Sequence, residues 1–340
     1  LAMDDKHISL AHGNGGRYMR ELIAEIFARH LSDPATDGAL DVTLDAAPIA
    51  LGEGDPYMTT DGFIVKPIEF PGGDIGSLAV NGTVNDLAVS GAQPLYLSLN
   101  AFIEEGLEIA TLDRIVASLA EAARAAGVQV VAGDTKVLPR GEGGGLYLAT
   151  TGVGLRPAGL DLGLHRIQPG DRVLVSGPIG DHGISVLLAR QEFQISGNVV
   201  SDCGNVIALA QAAMEYDGLR FMRDPTRAGL AGVAWEMSQQ SGATVRLAEP
   251  DVPVRDAVRM VCDMLGYDPY YLACEGRCIA VVDPAQADDL LARWCELPEG
   301  RDAAIIGEIE AGDPRIVLET ELGGQRILDD LEEDPLPRIC

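Results

Sequence analysis

The feature that most constrains the fold is an irregular mixture of strand-like and helix-like segments on both sides of one proline- and glycine-containing stretch. That stretch runs from Arg156-Pro157 to Pro169-Gly170. On each side, apolar residues recur at strand spacing in some segments and at helix spacing in others, without a regular strand–helix–strand rhythm. The pattern predicts an α+β protein with two domains, and 340 residues are enough for two buried cores.

We place an N-terminal domain at residues 1–155, a C-terminal domain at 165–330 and a flexible tail at 331–340. The strands predicted are 41–44, 57–65, 95–102, 128–132, 146–153, 172–176, 243–247, 277–282 and 303–309. The helices predicted are one after Gly16 and those at 77–90, 111–126, 183–191, 203–216, 228–240, 254–265 and 285–296.

The charge of the chain limits its partners. The formal net charge is −27, so phosphate would be repelled across most of the surface and a nucleic-acid partner is not expected. A few local basic residues can still hold one nucleotide. No apolar run has the length of a membrane span and no secretion signal pattern is visible, so we expect no membrane association and a cytoplasmic location.

The last six residues are Pro335-Leu336-Pro337-Arg338-Ile339-Cys340. The terminal thiol lies on a free end, and the two prolines favour extended backbone and prevent a helix from reaching it. The acidic run at 329–334 is expected to be solvated. This arrangement suits a thiol that carries a chemical group into an active site, although a frayed terminus that happens to end in cysteine would explain the same residues.

The turn His12-Gly13-Asn14-Gly15-Gly16 precedes an amphipathic segment. A glycine-rich turn at a helix N-terminus exposes backbone N–H groups where the helix dipole is positive, which suits a phosphate. Glycine turns before helices are also common without any ligand. Neither a Walker A pattern nor a Gly-x-Gly-x-x-Gly after a strand is present, which argues against P-loop and Rossmann nucleotide sites.

Five aspartates are candidate magnesium ligands: Asp45, Asp61, Asp86, Asp134 and, from the second half, Asp224. Three of the first four stand at or beside the end of an apolar segment, where a sheet edge would hold a carboxylate rigidly. Magnesium takes hard oxygen ligands and usually bridges carboxylates to substrate phosphates. For any one aspartate taken alone, the explanation as a helix cap or a turn residue is the favoured one.

Two further residues are candidate catalytic groups. Lys136, two residues after Asp134, would reach a phosphate or polarise a carbonyl, and its alternative is an exposed loop lysine. Glu275 lies between apolar segments, where burial would raise the pKa of a general base, and its alternative is an exposed turn. For His182, in Gly180-Asp181-His182-Gly183, a structural or secondary phosphate role is favoured over catalysis.

Several of these motifs together resemble one family. They are His12-Gly13-Asn14-Gly15-Gly16, Thr60-Asp61, the run from Pro71-Gly72-Gly73 to Asn85-Asp86-Leu87-Ala88, Gly133-Asp134-Thr135-Lys136-Val137, Gly180-Asp181-His182-Gly183, Asp224-Pro225-Thr226-Arg227-Ala228-Gly229, Glu275-Gly276 and Pro337-Arg338-Ile339-Cys340. The chain resembles the HypE family of hydrogenase maturation proteins, carbamoyl dehydratases of the PurM-like ATP-binding superfamily. The acidic motifs are shared across that superfamily, whereas the Pro-Arg-Ile-Cys end is specific to the HypE family.

The resemblance implies a two-domain PurM-like α+β fold and a homodimer whose N-terminal domains share a β-barrel. It also implies a reaction: HypF places a carbamoyl group on the thiol of Cys340, and ATP drives dehydration of this S-carboxamide to an S-cyanate. The cyanide then passes to iron on the HypC–HypD complex for the [NiFe] hydrogenase centre.

The family's functional residues carry over to matching positions here. The resemblance assigns ATP binding to His12, Gly13, Asn14, Gly15, Gly16, Asn85, Asp86, Thr135, Thr226 and Arg227, and Mg²⁺ to Asp45, Asp61, Asp86, Asp134 and Asp224. It makes Cys340 the residue that carries the substrate. Lys136 would stabilise negative charge on the activated oxygen or phosphate, and Glu275 would take the amide proton.

Other interpretations stay open on the sequence alone. Selenophosphate synthetase, thiamine-monophosphate kinase and aminoimidazole ribonucleotide synthase resemble the acidic motifs but have no reason to end in a terminal cysteine. A non-enzymatic scaffold would need no magnesium site. Prenylation would place the cysteine four residues from the end, and the acidic run would repel a membrane surface.

Overall fold

The computed structural model describes residues 5–32, 40–44, 46–191 and 197–340. These residues form two compact units. The first comprises the described residues up to Leu87, together with Ala92–Ala158 and Arg338–Cys340, and the second comprises Ala88–Gly91 and Gly159–Pro337. The domain limits predicted from the sequence, and the flexibility of the tail, stay predictions. No helix in the described part of the chain is both long and apolar enough to cross a membrane.

The first unit combines helices with a mixed sheet. Its helices are α1 (Arg17–Leu22), continued by the π-helical segment Ile23–Ala28 into α2 (Arg29–Leu31), then α3 (Ile75–Val89, whose last two residues group with the second unit) and α4 (Ile109–Ala126). Its strands are β1 (Asp55–Phe63), β2 (Glu69–Phe70), β3 (Gly73–Asp74), β4 (Gln93–Glu104), β5 (Gln129–Leu138) and β6 (Leu146–Arg156).

The main sheet of the first unit has the strand order β1-β6-β4-β5, with β4 and β5 parallel and the other neighbours antiparallel. The helix α4 buries Leu112, Ile115 and Leu119, which recur at helical spacing, and it ends at Gly127 with φ 68°. Among the described residues, β1 and β5 are the edge strands of this sheet. The barrel that the resemblance implies for a homodimer therefore stays a prediction.

The second unit is built on a larger sheet of strand order β13-β12-β9-β11-β7-β10-β8. Its strands are β7 (Arg172–Val175), β8 (Leu219–Arg223), β9 (Thr244–Ala248), β10 (Ile279–Val282), β11 (Ala304–Glu310), β12 (Arg315–Glu319) and β13 (Gln325–Ile327). Its helices are α5 (Asp181–Ala189), α6 (Ile207–Ala213), α7 (Gly229–Ser241), α8 (Asp256–Leu265) and α9 (Ala287–Cys295).

Both faces of this larger sheet are covered by apolar side chains. Val173 and Val175 of β7 belong to a core that includes α7, whereas Leu174 between them belongs to a second core with α6 and α9. Successive side chains of a strand point to opposite faces, so one strand supplies both cores. In β10, the run Ile279–Val282 is buried throughout, as expected for a central strand covered on two sides.

The structure confirms the mixed α+β class and corrects several boundaries. Residues 41–44 are not a strand, because the carboxylate of Asp41 accepts hydrogen bonds from the backbone N–H and the hydroxyl of Thr43 and holds a turn. The strand predicted at 128–132 continues to Leu138 as β5. The strands β8, β12 and β13 were not predicted.

Candidate functional site

Asp61 and Asp86 face the same side of the N-terminal sheet. Asp61 lies in β1 opposite Thr150 of β6, and Asp86 lies in α3. Thr59 is two residues before Asp61 and therefore shares its face of β1. Its hydroxyl donates a hydrogen bond to Oδ2 of Asp86 at 2.7 Å. Both aspartates are half-buried, so part of each residue is exposed to solvent.

A layer of threonine contacts brings α3 close to the sheet beneath these carboxylates. The hydroxyls of Thr83 in α3 and Thr150 in β6 are hydrogen-bonded, and Thr150 Oγ1 also donates to the carbonyl of Ala79 at 3.3 Å. A Cβ at Gly152 would lie 2.8 Å from Thr83 Cγ2, so glycine permits the approach. The neighbouring Asn85 is 1 % exposed and is held inside the unit.

Asp134 and Lys136 form an ion pair on one face of β5. The Nζ atom of Lys136 lies 2.7 Å from Oδ2 of Asp134, and the backbone N–H of Thr135 donates to Oδ1 at 2.8 Å. The hydrogen bond from Lys136 lowers the pKa of Asp134 below its ordinary value. Both ion-paired side chains are more than half exposed, whereas Thr135 points to the opposite face and is buried. A solvent-facing carboxylate and ammonium therefore stand together.

The glycine-rich turn packs beside the same strand. A Cβ at Gly13 would lie 2.8 Å from Cβ of Val137, the residue after Lys136. His12 is fully buried: its Nδ1 accepts from the backbone N–H of Ser9 at 3.0 Å, and its Nε2 lies 3.5 Å from Asp5 Oδ2. His12 thus holds the turn from inside. The part of the turn that is exposed to solvent is 14–16.

A cavity of about 160 Å³ adjoins Asp134 and Thr135. Its walls include Ile23 and Phe27 of the π-helical segment, Leu99 of β4, and Val42 and Leu44 from the segment before Asp45. Asp45 itself lies outside the described residues. Apolar side chains and the polar residues Asp41, Asp134 and Thr135 therefore line the same cavity.

In the second unit, Asp224 and Glu275 flank one backbone hydrogen bond. The N–H of Cys274 donates to the carbonyl of Pro225 at 2.9 Å. Asp224 precedes Pro225 and Glu275 follows Cys274, so the fold brings these two predicted residues together. They are 6 % and 2 % exposed, respectively. Of the two interpretations of Glu275, the exposed turn is therefore wrong.

The residues after Asp224 form a tight turn into α7. The carbonyl of Asp224 accepts from the N–H of Thr226 at 3.1 Å, and Gly229 follows with φ 56°. A Cβ at Gly229 would lie 2.6 Å from the carbonyl oxygen of Leu272, so only glycine fits there. Thr226 is half-buried and Arg227 is exposed. The turn thereby leaves the Arg227 side chain on the surface.

His182 lies in the first turn of α5. It is fully buried, and its Nδ1 is 2.8 Å from the hydroxyl of Ser201. The backbone N–H of the next residue, Gly183, donates to the carbonyl of Ala273 at 3.2 Å. These contacts support the structural interpretation of the Gly180-Asp181-His182-Gly183 motif.

The tail is docked in this structure. Leu336 and Ile339 are 3 % and 4 % exposed. In the second unit, Nη2 of Arg190 donates to the carbonyl of Pro337 at 2.6 Å, and in the first unit the carbonyl of Arg338 accepts from the N–H of Lys66 at 3.3 Å. Cys340 is half-buried, whereas the acidic run 329–334 is exposed, as the sequence predicts.

The candidate residues are divided between the units: the glycine-rich turn, Asp61, Asn85, Asp86, Asp134, Thr135, Lys136 and Cys340 belong to the first, and Asp224, Thr226, Arg227 and Glu275 to the second. Within the described ranges, no three histidine, cysteine or acidic side chains are grouped closely enough to hold a metal ion. Oxygen donors are nevertheless present at Asp61 and Asp86, so a magnesium ion would need phosphate oxygens to complete its ligands.

Sequence reasoning missed several residues that hold the site together. Thr59 orients Asp86, and its signal was the polar run Thr59-Thr60-Asp61 inside an otherwise strand-like segment. Asp202 accepts hydrogen bonds from the turn that carries Glu275, and Arg190 holds the tail. No local pattern marks Asp202 or Arg190, because their partners are distant in the sequence.

Two family models match the chain in succession. The AIR synthase related protein N-terminal domain matches residues 44–156, and the AIR synthase related protein C-terminal domain matches 168–319. Carbamoyl dehydratase HypE of Azotobacter vinelandii is 46 % identical over 345 aligned positions that cover 100 % of this chain and 99 % of that protein.

Solved structures agree with these matches. A crystal structure of hydrogenase maturation protein HypE in complex with ATP has a TM-score of 0.91 and 43 % identity, and the match covers 97 % of this chain and 99 % of that one. A HypE–HypF complex structure matches with a TM-score of 0.78 and 39 % identity, covering 92 % and 99 %. The predicted two-domain PurM-like fold is thereby confirmed, and the chain belongs to the carbamoyl dehydratase HypE family of AIR synthase-related proteins.

Proposed function

We propose that this protein is an ATP-dependent carbamoyl dehydratase that converts the S-carboxamide on its own Cys340 to an S-cyanate. The observation that carries the proposal is the full-length 46 % identity to a protein that bears the name carbamoyl dehydratase. The likeness to a HypE structure in complex with ATP supports the nucleotide. The terminal Pro337-Arg338-Ile339-Cys340, typical of the family, supplies the thiol.

The reaction removes one oxygen and two protons from the carboxamide. Its oxygen attacks the γ-phosphoryl group of ATP, the bond from that phosphorus to ADP breaks, and the activated oxygen then leaves carbon as inorganic phosphate. One nitrogen proton is released and the other ends on the phosphate, while the carbon–nitrogen bond becomes triple. Activation is needed because an amide oxygen is a poor leaving group.

The nucleotide is proposed to lie against the exposed turn 14–16, with His12 and Gly13 fixing that turn beside β5. The remaining nucleotide ligands proposed are Asn85, Asp86, Thr135, Thr226 and Arg227. Magnesium, when bound, would neutralise phosphate charge, held by carboxylates among Asp45, Asp61, Asp86, Asp134 and Asp224. The shared face of Asp61 and Asp86, set by the Thr59 hydrogen bond, supports this assignment for those two residues.

Lys136 and Glu275 are the proposed catalytic residues. The Lys136 side chain is 57 % exposed, and its ammonium group would stabilise the negative charge on the activated oxygen or the departing phosphate. Glu275 is 2 % exposed, so its carboxylate is shielded from bulk water, which suits a general base that removes an amide proton.

The proposed partners follow from the family. HypF would place the carbamoyl group on Cys340, and the HypE–HypF complex among the structural relatives supports this partner. The HypC–HypD complex would accept the cyanide for the iron of [NiFe] hydrogenase. From membership of the same family, we also propose a homodimer whose N-terminal sheets form a shared barrel, and a cytoplasmic location.

The test uses protein carbamoylated at Cys340, mixed with Mg-ATP and followed by intact mass. We expect the loss of one water per chain in the wild type. Asp86→Asn and Glu275→Gln should lose it at least about 100-fold more slowly, since each removes a carboxylate needed before the nitrile forms. Cys340→Ser, which cannot form the S-carboxamide, serves as the control. Wild-type rates in Asp86→Asn would overturn the proposal.

A further inference from the structure

The carboxylate of Asp202 binds the backbone of the turn that carries Glu275. Its Oδ1 accepts from the N–H of Glu275 at 3.1 Å, and its Oδ2 accepts from the N–H of Gly276 at 3.3 Å. One side chain therefore receives two consecutive backbone donors, a bidentate arrangement that fixes the turn in orientation as well as in position.

The segment around Asp202 and the Glu275-Gly276 turn are also in contact through their backbones. The N–H of Gly204 donates to the carbonyl of Glu275 at 3.4 Å. A Cβ on Gly276 would lie 1.8 Å from the carbonyl oxygen of Asp202, so no other residue can occupy this position without moving the chain. The residues around Asp202, from 201 to 206, have neither helix nor strand, so side-chain contacts such as these determine where the segment lies.

The buried charge of Asp202 is compensated by Arg277. The Asp202 side chain is fully buried, and its Oδ2 lies 3.4 Å from Nε of Arg277. The same guanidinium donates from Nε to the carbonyl of Pro178 at 2.9 Å and lies 3.4 Å from Oδ2 of Asp181 through Nη2. Burying an unpaired charge is unfavourable, and here the pairing through Arg277 joins two segments, 178–181 and the one around Asp202, to the turn.

We propose that Asp202 is a positioning residue for Glu275: it holds the backbone of the Glu275-Gly276 turn so that the Glu275 carboxylate meets the amide proton of the substrate. The inference rests on the proposed base role of Glu275. Asp202 touches neither nucleotide nor substrate in this role, and acts only through the turn. A misplacement of about 1 Å at a reacting group can slow a reaction by about 100-fold.

Asp202→Asn tests the proposal because it preserves shape and removes one of the two acceptors, placing an NH₂ group against a backbone donor. In the carbamoylated protein with Mg-ATP, we expect the single-turnover rate of water loss to fall by about 10- to 100-fold, with the KM for ATP within about twofold of wild type. Hydrogen exchange of peptides that cover 272–278 should become faster.

Asp171→Asn is the matched control. Asp171 is also a buried carboxylate of the second unit: its Oδ2 accepts from the N–H of Gln168 at 2.9 Å and its Oδ1 lies 3.5 Å from Nε of Arg220. This variant should lose comparable stability and keep the wild-type rate of dehydration. An equal slowing in the two variants would show a general loss of stability and overturn the proposal.

A double-mutant comparison separates this inference from the function on which it rests. Asp202→Asn combined with Glu275→Gln should be no slower than Glu275→Gln alone, because a positioning residue has no effect once its target is removed. If Glu275→Gln is slow while Asp202→Asn reacts at the wild-type rate, the positioning role is wrong and the base role stands. If Glu275→Gln reacts at the wild-type rate, both are wrong.

Asp202→Glu covers the case in which the Asn variant does not fold. It retains the negative charge beside Arg277 but shifts both oxygens by one methylene group. We expect it to fold and to slow dehydration by about 10-fold at an unchanged KM for ATP. A wild-type rate in whichever of the two variants folds would overturn the proposal.

Discussion

The hydroxyl of Thr59 donates to Oδ2 of Asp86 across 2.7 Å, joining β1 to α3. This bond is one of the contacts that hold the Asp86 carboxylate. With it, Asp86 is oriented on the face of β1 that also carries Asp61. Asp61 and Asp86 are two of the described carboxylates to which we assign the proposed cation beside a phosphate.

Thr59→Val should therefore weaken binding of Mg-ATP by about 3- to 10-fold and lower the free energy of unfolding by about 1 kcal/mol, the value of one lost hydrogen bond. Calorimetric titration measures the affinity. The control is Thr60→Val, which removes a hydroxyl from the opposite face of the same strand, where it bonds to the carbonyl of Thr150 at 3.1 Å. Equal weakening in both variants would contradict the role given to Thr59.

Lys136→Met should raise the pKa of Asp134 towards its ordinary value of 3.8, because the hydrogen bond that lowers it is lost. The lowered pKa stabilises the fold above pH 3.8, and this contribution disappears as the pH falls through the folded-state pKa. Both side chains are more than half exposed, so solvent screening limits it to less than about 0.5 kcal/mol.

An NMR titration of the Asp134 carboxyl carbon measures this shift. The same change at Arg140, whose charge acts on Glu104, should leave the titration of Asp134 in place. An unchanged Asp134 titration in Lys136→Met would contradict the ion pair.

Arg255→Met should destabilise the fold in a pH-dependent way. Burial raises the pKa of Asp181 above 3.8, and the hydrogen bond from Arg255 at 2.9 Å opposes that rise. Because the folded-state pKa is raised, Asp181 favours folding most below pH 3.8, and the favourable effect is lost as the pH rises through the folded-state pKa. Removing Arg255 raises the pKa of Asp181 further and therefore lowers the free energy of unfolding at neutral pH.

We expect the free energy of unfolding of Arg255→Met to fall by about 1 kcal/mol at pH 7 and by less at pH 4. The figure at pH 7 allows for solvent screening of the exposed guanidinium. Urea unfolding at both pH values measures it. Arg172→Met breaks the half-exposed pair with Glu308 and is the control for the smaller effect of an ion pair near the surface. Equal losses at the two pH values in Arg255→Met would count against the argument.

Gly276→Ala should cost about 3 kcal/mol of unfolding free energy, because the added Cβ would lie 1.8 Å from the carbonyl oxygen of Asp202 and one segment must move. Thermal unfolding measures the loss. Gly204→Ala, where the nearest atom is at 3.5 Å, should stay within about 1 kcal/mol of wild type. If Gly276→Ala lost no more unfolding free energy than Gly204→Ala, the close approach between Gly276 and the carbonyl oxygen of Asp202 would be contradicted.

Local patterns predicted the elements with strong periodicity and failed where a contact with a distant segment decided the outcome. The helix α4 was predicted from its apolar spacing and from Gly127 at its end, and β7 and β10 from their apolar runs. The strand β12 was missed although it contains the apolar run Ile316-Val317-Leu318, and its parallel pairing with β9, between residues about 70 positions apart, is seen only in the structure. Residues 41–44 misled because their alternation is that of a strand while Asp41 holds a turn.

The sequence by itself determined the family, the identity of the acidic, lysine and cysteine residues, and a mixed fold in two parts, because those depend on residue types and on spacing along the chain. Only the tertiary structure decided that Glu275 is buried and that Asp202 accepts a hydrogen bond from the turn that carries it. The same is true of the contact between this turn and the segment of Asp224, made by the hydrogen bond from Cys274 to Pro225. Burial and hydrogen bonding depend on which distant segments come together when apolar surface leaves water, and one sequence pattern alone does not record those pairings.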